Sequence, residues 1–420
     1  MEIQVIDERT FDKYAKTHIL KSFYQTSAYG EVMRKCGYTP MYVAGYENGE
    51  IKAASLILTK KLGAALKYGY APRGFLLNYY DNELFENFTK ALRDFLSKKA
   101  FVFVKVNPEI TLAAINAKNK ERKLYKRNSA LVYLFQELDY YKLRDNIYFE
   151  SLLPRFNPVL QLPSFTLAKI DAEYRKTVEK NLNRGLKLVK GTEDDFKIFD
   201  SLIRKRKPLL RESYWHFYTT FSDRNMIELL LLELDLKDYL EYLTSEYETE
   251  KAKNVATNTK FQNSPNSIPY YSVKMASDMR LNDLHSEISM LNKKVEGGIE
   301  KEFIGAALIV KYEGRINILE TGTDPNFEFL EPKHFLFYKL ITEYKKRGYS
   351  FFDMNGITGD FSERNPYYGL NKFKESFNPS IYEYIGEFDL IVNKALYQYL
   401  LSSNKLAKEF DRSQDKPVVL

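Results

Sequence analysis

The chain has 420 residues, 44% of them apolar, which is too many for one ordinary domain and enough for two or three with real cores. A net charge of +7 suits an anionic partner such as phosphate, RNA or an acidic membrane face, and equally an ordinary lysine-rich surface. The one cysteine, Cys36, excludes an intramolecular disulfide and a cysteine-based metal cluster, and the four histidines show no metal spacing.

Asp7 to Thr17 and Tyr24 to Cys36 read as helices. Lys35, with Gly37 and Tyr38, closes the second; the trio suits a phosphate contact with stacking, or plain helix-end chemistry. Met41 to Tyr46 and Ile51 to Lys60 read as a hairpin turning at Asn48-Gly49. Leu66 to Tyr70 is a strand leading into Pro72-Arg73-Gly74. Asn82 to Lys98 is an amphipathic helix, and Phe101 to Val106 is a buried strand stopping at Asn107-Pro108. Glu109, just beyond, reads as a proton acceptor or as an exposed turn residue.

Further on, Asp171 to Asn183 is a charged helix. Lys176, Lys180 and Arg184 form a stripe for RNA phosphates or a solvated face. Thr192 to Lys207 and Arg211 to Phe221 are helical around Pro208. Arg211, Tyr214 and Trp215 combine a fork cation with two aromatics, which suits a diphosphate or simple packing. Met226 to Leu236 is a buried strand. Leu236, Leu240, Leu243 and Tyr247, then Leu281, Leu284, Ile288, Leu291 and Val295, follow heptad spacing. Phe261 to Pro269 breaks the helix between them, so an antiparallel helical hairpin is expected. Its polar remainder predicts an arm projecting into solvent.

The opening order then recurs: a hairpin over Ile304 to Tyr312 and Arg315 to Glu320, a helix over Lys333 to Lys346, and a strand over Ser350 to Met354 stopping at Asn355-Gly356. The repeat predicts two similar α/β domains, each a mixed sheet with helices on both faces. Phe373-Lys374 sits on a short amphipathic piece after a polar loop. It suits a cation placed on an oxyanion, or a surface lysine. A last strand spans Glu383 to Val392. No P-loop, dinucleotide fingerprint or Ser-His-Asp set is present. No apolar run reaches spanning length and the first residues do not read as a signal peptide, so a cytoplasmic protein is expected.

The segment Gly369-Leu370 to Phe373-Lys374, followed by Glu383-Tyr384-Ile385-Gly386-Glu387-Phe388-Asp389, resembles the closing signature of the FemABX peptidoglycan aminoacyltransferases. Ser27 to Val32 with Gly37-Tyr38, then Pro72-Arg73-Gly74, Val104 to Pro108 and Asp353 to Gly359, are similar in the same order. The resemblance implies two domains like GNAT acyltransferases. The first would cover 1–165. The second would cover 166–236 and 298–392, with a coiled-coil arm at 237–297 inserted, and a helix and tail would follow at 393–420. It implies transfer of an amino acid from aminoacyl-tRNA to the stem-peptide lysine, or growing bridge, of a precursor such as lipid II. The protein would touch the inner face of the membrane peripherally and need no cofactor or metal.

Carried over by residue, the resemblance makes Phe373 and Lys374 the catalytic pair. It puts Lys35, Tyr38, Arg211 and Tyr214, with Trp215 as alternative, on the precursor. In that reading the arm and Lys176, Lys180 and Arg184 meet tRNA. Asn107 stands where an aspartate is common, and Glu320 where some members carry a tyrosine. Two other readings stay open: a non-catalytic RNA-binding protein on this scaffold, and an acyl-coenzyme A N-acyltransferase. The latter normally uses a Gly-rich pyrophosphate loop, which the sequence lacks.

Overall fold

The structure is a computed structural model that describes residues 1–63, 65–148, 153–204 and 211–403, with Arg211 and Glu212 described by backbone alone. Among the described residues the strands make a seven-stranded and a nine-stranded mixed sheet. The first runs, in spatial order, Glu2–Val5, Thr39–Glu47, Glu50–Leu62, Leu66–Ala71, Phe101–Val106, Phe388–Ile391 and Tyr140–Lys142. The second runs Leu186–Lys190, Ile227–Asp235, Lys301–Tyr312, Arg315–Thr323, Phe351–Asp353, Phe156–Gln161, Ser380–Tyr384, Thr111–Asn116 and Arg122–Leu124.

Local chemistry accounts for the elements. Asn48 and Gly49 both take positive φ, which a two-residue hairpin turn of matching twist requires. Asp81 caps the helix Asn82–Ser97 through the Leu84 amide at 3.0 Å, and Phe85, Phe88, Leu92 and Leu96 bury one face of it. Both expected hairpins form with their expected partners.

The sheets cut across the expected boundaries. Strands at Thr111–Asn116, Arg122–Leu124 and Phe156–Gln161, all inside 1–165, belong to the second sheet. Phe388–Ile391, expected in the second domain, lies in the first sheet, antiparallel to Phe101–Val106 and Tyr140–Lys142. Burial explains the return of the chain end. Lys105 is 1% exposed and pairs with Asp389 at 3.0 Å, without hydrogen-bond alignment, and with Glu387 at 3.9 Å. The Tyr397 hydroxyl donates to Asp389 at 2.7 Å from the helix Lys394–Ser402. A buried lysine needs a carboxylate, and Asp389 of the last strand, with Glu387 just before it, supplies one. Residues 404–420 of the expected tail lie outside the described residues.

The two halves also share a core. Phe11, Tyr29, Val32 and Leu56 from the first pack in one cluster with Phe199, Phe221, Leu229 and Leu308 from the second. Each such side chain contributes about 2 kcal/mol when fully buried, so the halves form one packed body.

The arm is a pair of helices, Leu236–Asn263 and Ile268–Glu296. Leu236, Leu243, Leu284 and Leu291 bury as the heptads predicted. The break is shorter than expected: Pro269 sits in the first turn of the second helix, where a proline lacks no needed donor. Beyond Tyr247 the seam turns polar, with Asn254 Nδ2 donating to Ser277 Oγ at 3.2 Å and Asp278 Oδ1 at 2.7 Å. One buried amide pair of this kind fixes register at some cost in stability.

Replacing Asp389 by Ala leaves Lys105 buried without its nearer partner. Denaturant titration should then show a loss of about 3 kcal/mol.

Candidate functional site

Among the described strands the chain passes between the sheets four times, and the polar site sits at two of these crossings, 107–110 and 385–387. Glu109 lies on the first crossing. Tyr384 ends the strand before the second and donates to Glu109 Oε1 at 3.2 Å. Arg315 opens a strand of the second sheet. Its guanidinium reaches Glu109 Oε1 through Nη1 and Asp353 Oδ2 through Nη2, the latter at 2.6 Å. Strand pairing puts Asp353 there, because Phe351–Asp353 runs parallel to Arg315–Asn317. Asn157, on the neighbouring strand, donates to both Asp353 oxygens at 3.1 Å, and the Asn355 amide donates to Oδ1 at 2.8 Å.

From the first half, Arg73 closes the cluster. It is buried at φ 50, its amide bonded to Asn107 Oδ1 at 2.9 Å and its Nη2 to the Pro154 carbonyl at 2.7 Å. Its guanidinium lies 4.6 Å from the Tyr384 ring centroid. Of these groups Arg73, Glu109, Asn157 and Asp353 line a small cleft with Tyr24, Asn317 and Asn355.

Two cations thus face two carboxylates. Burial works against the charge on Arg315, but Glu109 and Asp353 more than offset it and hold the guanidinium charged. Burial pushes the Tyr24 and Tyr384 phenols well up, so both stay hydrogen-bond donors. Asp353 spends both oxygens on fixed partners. The bonds described for Glu109 both reach Oε1. Asn157 Oδ1 and Arg315 Nε, both buried, have no hydrogen-bond partner among the described residues. Of these residues Asn157 and Glu109 line the cleft, so an amide and a carboxylate border it.

The Phe373-Lys374 pair lies behind this cleft. Lys374 is 7% exposed, and its ammonium donates to the carbonyls of Asn355 at 3.1 Å and Gly356 at 2.8 Å. Asn355 has φ 64, which turns that carbonyl inward. Asn371, one turn earlier on the helix Tyr368–Glu375, binds the Thr358 amide and carbonyl at 3.1 Å each. The helix is thus bolted onto the Asn355 turn, and the surface-lysine alternative is excluded. Phe373 is buried edge-on against Phe337 at 4.9 Å.

The precursor set gathers elsewhere. Lys35 Nζ donates to Thr220 Oγ1 at 2.9 Å, tying the helix Ser27–Lys35 to the helix Arg211–Ser222. Tyr38 lies under Lys60 at 5.0 Å. The Tyr214 hydroxyl donates to Glu320 Oε2 at 2.8 Å, and burial pushes that phenol up. Trp215 points the other way, edge-on to Phe196 at 4.9 Å. The Arg211 side chain, and the 205–207 end of the helix expected before it, lie outside the described residues. Lys176 and Lys180 are exposed on the helix Ala172–Asn181. Arg184 is not on their face; it packs at the arm base, bonded to Asn181 Oδ1 at 3.0 Å and 5.2 Å from the Tyr242 ring.

With this geometry in view, the sequence model of the FemAB family matches residues 6–405. The chain belongs to the FemAB family. It is 22% identical over 409 residues to a lipid II:glycine glycyltransferase of Staphylococcus epidermidis, covering 94% of each chain. It is 22% identical over 416 residues to the protein of the same name from Staphylococcus aureus, covering 95% of each. The solved structure of FemX superposes with a TM-score of 0.72 at 19% identity, covering 95% of this chain and 100% of that one. The FemAB membership agrees with the resemblance, and so does the mixed α/β fold.

Sequence reasoning missed Arg73, Asn157, Arg315, Asp353 and Tyr384 as site residues in this FemAB chain. Pro72-Arg73-Gly74 and Asp353 to Gly359 were marked as similar stretches, and each ends a strand at a crevice edge, where ligand-facing residues collect. Asn157 and Arg315 carry no local signal.

Next to the pair, His334 stacks on Tyr174 at 3.9 Å and meets Phe373 at 4.8 Å. Burial holds its pKa down to about 4, so the 3.6 Å approach of Glu331 is not an ion pair near neutrality. The unfolded chain takes up this proton near pH 6.5 and the folded chain only near 4. Folding stability should therefore fall as pH drops from about 6.5 towards 4. His334→Phe should flatten that part of a pH series of thermal melts.

Proposed function

We propose that this chain is an aminoacyltransferase that adds an amino acid to a peptidoglycan precursor such as lipid II, building the interpeptide bridge, with aminoacyl-tRNA as donor. The observation that carries the reading is the end-to-end match, over 94% of both chains, to a protein named lipid II:glycine glycyltransferase. A small polar cleft lined by Arg73, Glu109 and Asp353, at the seam between the two α/β halves, supports a polar reaction centre there.

The reaction is aminolysis of an ester. The acceptor lysine amine begins as ammonium, with an ordinary pKa of about 10.4, and must lose a proton to attack. Glu109, through Oε2, accepts it; Arg315 and Tyr384 hold that carboxylate still through Oε1. The nitrogen then bonds to the aminoacyl carbon, and the ester bond to the tRNA ribose breaks. As the amide forms the nitrogen sheds a second proton; one of the two passes from Glu109 to the departing ribose oxygen and the other leaves to water, so an amide and a free hydroxyl result. Lys374, seated by Phe373, puts positive charge beside the Asn355 turn and stabilises the oxyanion. Loss of such a group costs about 3 kcal/mol. Lys35, Tyr38 and Tyr214 hold the precursor phosphates, with Arg211 as a further contact. Lys176 and Lys180 meet tRNA phosphates.

The deciding experiment incubates the protein with lipid II and a mixed pool of charged tRNAs, then weighs the product by mass spectrometry. Acyl-coenzyme A replaces the tRNA in a second arm. Product only from acyl-coenzyme A, or none at all with RNA still bound, overturns the proposal.

Within that assay, Glu109→Gln keeps the bonds to Arg315 and Tyr384 in reach but removes the base. Turnover should drop by about a hundredfold with an unchanged melting temperature. Lys374→Met should lower turnover and also the melting temperature, because two buried carbonyls lose their donor. Lys176→Ala with Lys180→Ala should weaken tRNA binding and reduce its salt slope by about two.

A further inference from the structure

The outer face of the arm's second helix is apolar and uncovered. Ile268, Tyr271, Met275 and Met279 recur at helical spacing and are 78%, 52%, 40% and 61% exposed. Their spacing of three, four and four puts them on one side, and buried Ser277, Leu284 and Leu291 mark the opposite side, towards the first helix. The stripe runs along the arm rather than capping its end.

Charge around the stripe has one sign. Between Glu250 and Asp278 the chain carries Lys251, Lys253, Lys260 and Lys274 and no acidic residue. Three of these lysines lean on acids at the edges of the segment: Lys274 on Asp278 at 2.6 Å, Lys251 on Glu248 at 3.8 Å and Lys253 on Glu250 at 3.9 Å. Lys251 and Lys253 are mostly exposed in these pairs and Lys274 is partly so, and pairs this open hold little energy.

We infer that this half of the arm is a membrane-docking face that lies along an anionic lipid surface, with Ile268, Tyr271, Met275 and Met279 entering the headgroup boundary and the lysines above them. An uncovered apolar stripe flanked by lysine is the composition of an interfacial helix. RNA was the partner expected for the arm, but three of the four stripe residues, Ile268, Met275 and Met279, offer a nucleic acid no stacking face, and this segment has no arginine. The inference deepens the proposed function, because a lipid-linked acceptor requires the enzyme at a bilayer.

The test uses the full chain and co-sedimentation with phosphatidylcholine vesicles containing phosphatidylglycerol. Wild type should pellet with them, and less so as salt rises. The triple variant Ile268→Ser, Met275→Ser, Met279→Ser should lose affinity about tenfold, with an unchanged melting temperature and unchanged transfer to a soluble, lipid-free acceptor. Lys260→Glu should weaken binding to the anionic vesicles and not to pure phosphatidylcholine. Three results overturn the inference: wild type that transfers to the soluble acceptor but ignores vesicles, a triple variant that pellets like wild type, or a variant that instead loses tRNA binding or self-association. Failure of transfer to any acceptor, with vesicle binding intact, would count against the proposed function and leave the docking face standing.

Discussion

One guanidinium holds the site together. Arg315 stands between Glu109, on the segment leaving the first sheet, and Asp353, at a strand end of the second. Two carboxylates this close repel each other, and the cation between them offsets that repulsion. Removing it would leave buried negative charge unpaired, a far larger cost than the pair itself contributes. The cleft's geometry therefore depends on the parallel pairing of Phe351–Asp353 with Arg315–Asn317, which brings Asp353 within reach of Arg315.

The same logic explains why the halves do not separate along the chain. Each sheet borrows strands from the other's half of the sequence, and the final strand returns to the first sheet to neutralise Lys105. The shared apolar core makes the cleft a seam in one body rather than a hinge between two. Residues at the crossings, Asn107, Glu109 and Tyr384, face this seam because they have left one sheet and not yet joined, or only just left, the other. Family membership and end-to-end coverage support the proposal that donor and acceptor meet at this seam.

The Lys374 ammonium differs from the picture of a cation poised in open solvent. It is sunk beneath the Asn355 turn and bonded to two carbonyls. It shapes the turn whose Asn355 lines the cleft. Glu320, standing where a tyrosine was expected, accepts from Tyr214 and takes up the phenol that a bare cleft would expose.

Much of this protein could be read from residues alone. The Asn-Gly turn, the capped amphipathic helices and the arm's heptads are short-range patterns, and short-range patterns report local structure directly. The closing motif around Phe373-Lys374 carried the family. Tertiary structure alone decided which strands share a sheet, because pairing between strands some two hundred residues apart leaves no periodic trace in either. It also decided that Arg73, Asn157, Arg315 and Asp353 form one cluster, and that Arg184 packs at the arm base while Lys176 and Lys180 face water. Each of those outcomes depends on what lies across a gap, and a linear chain records only what lies beside.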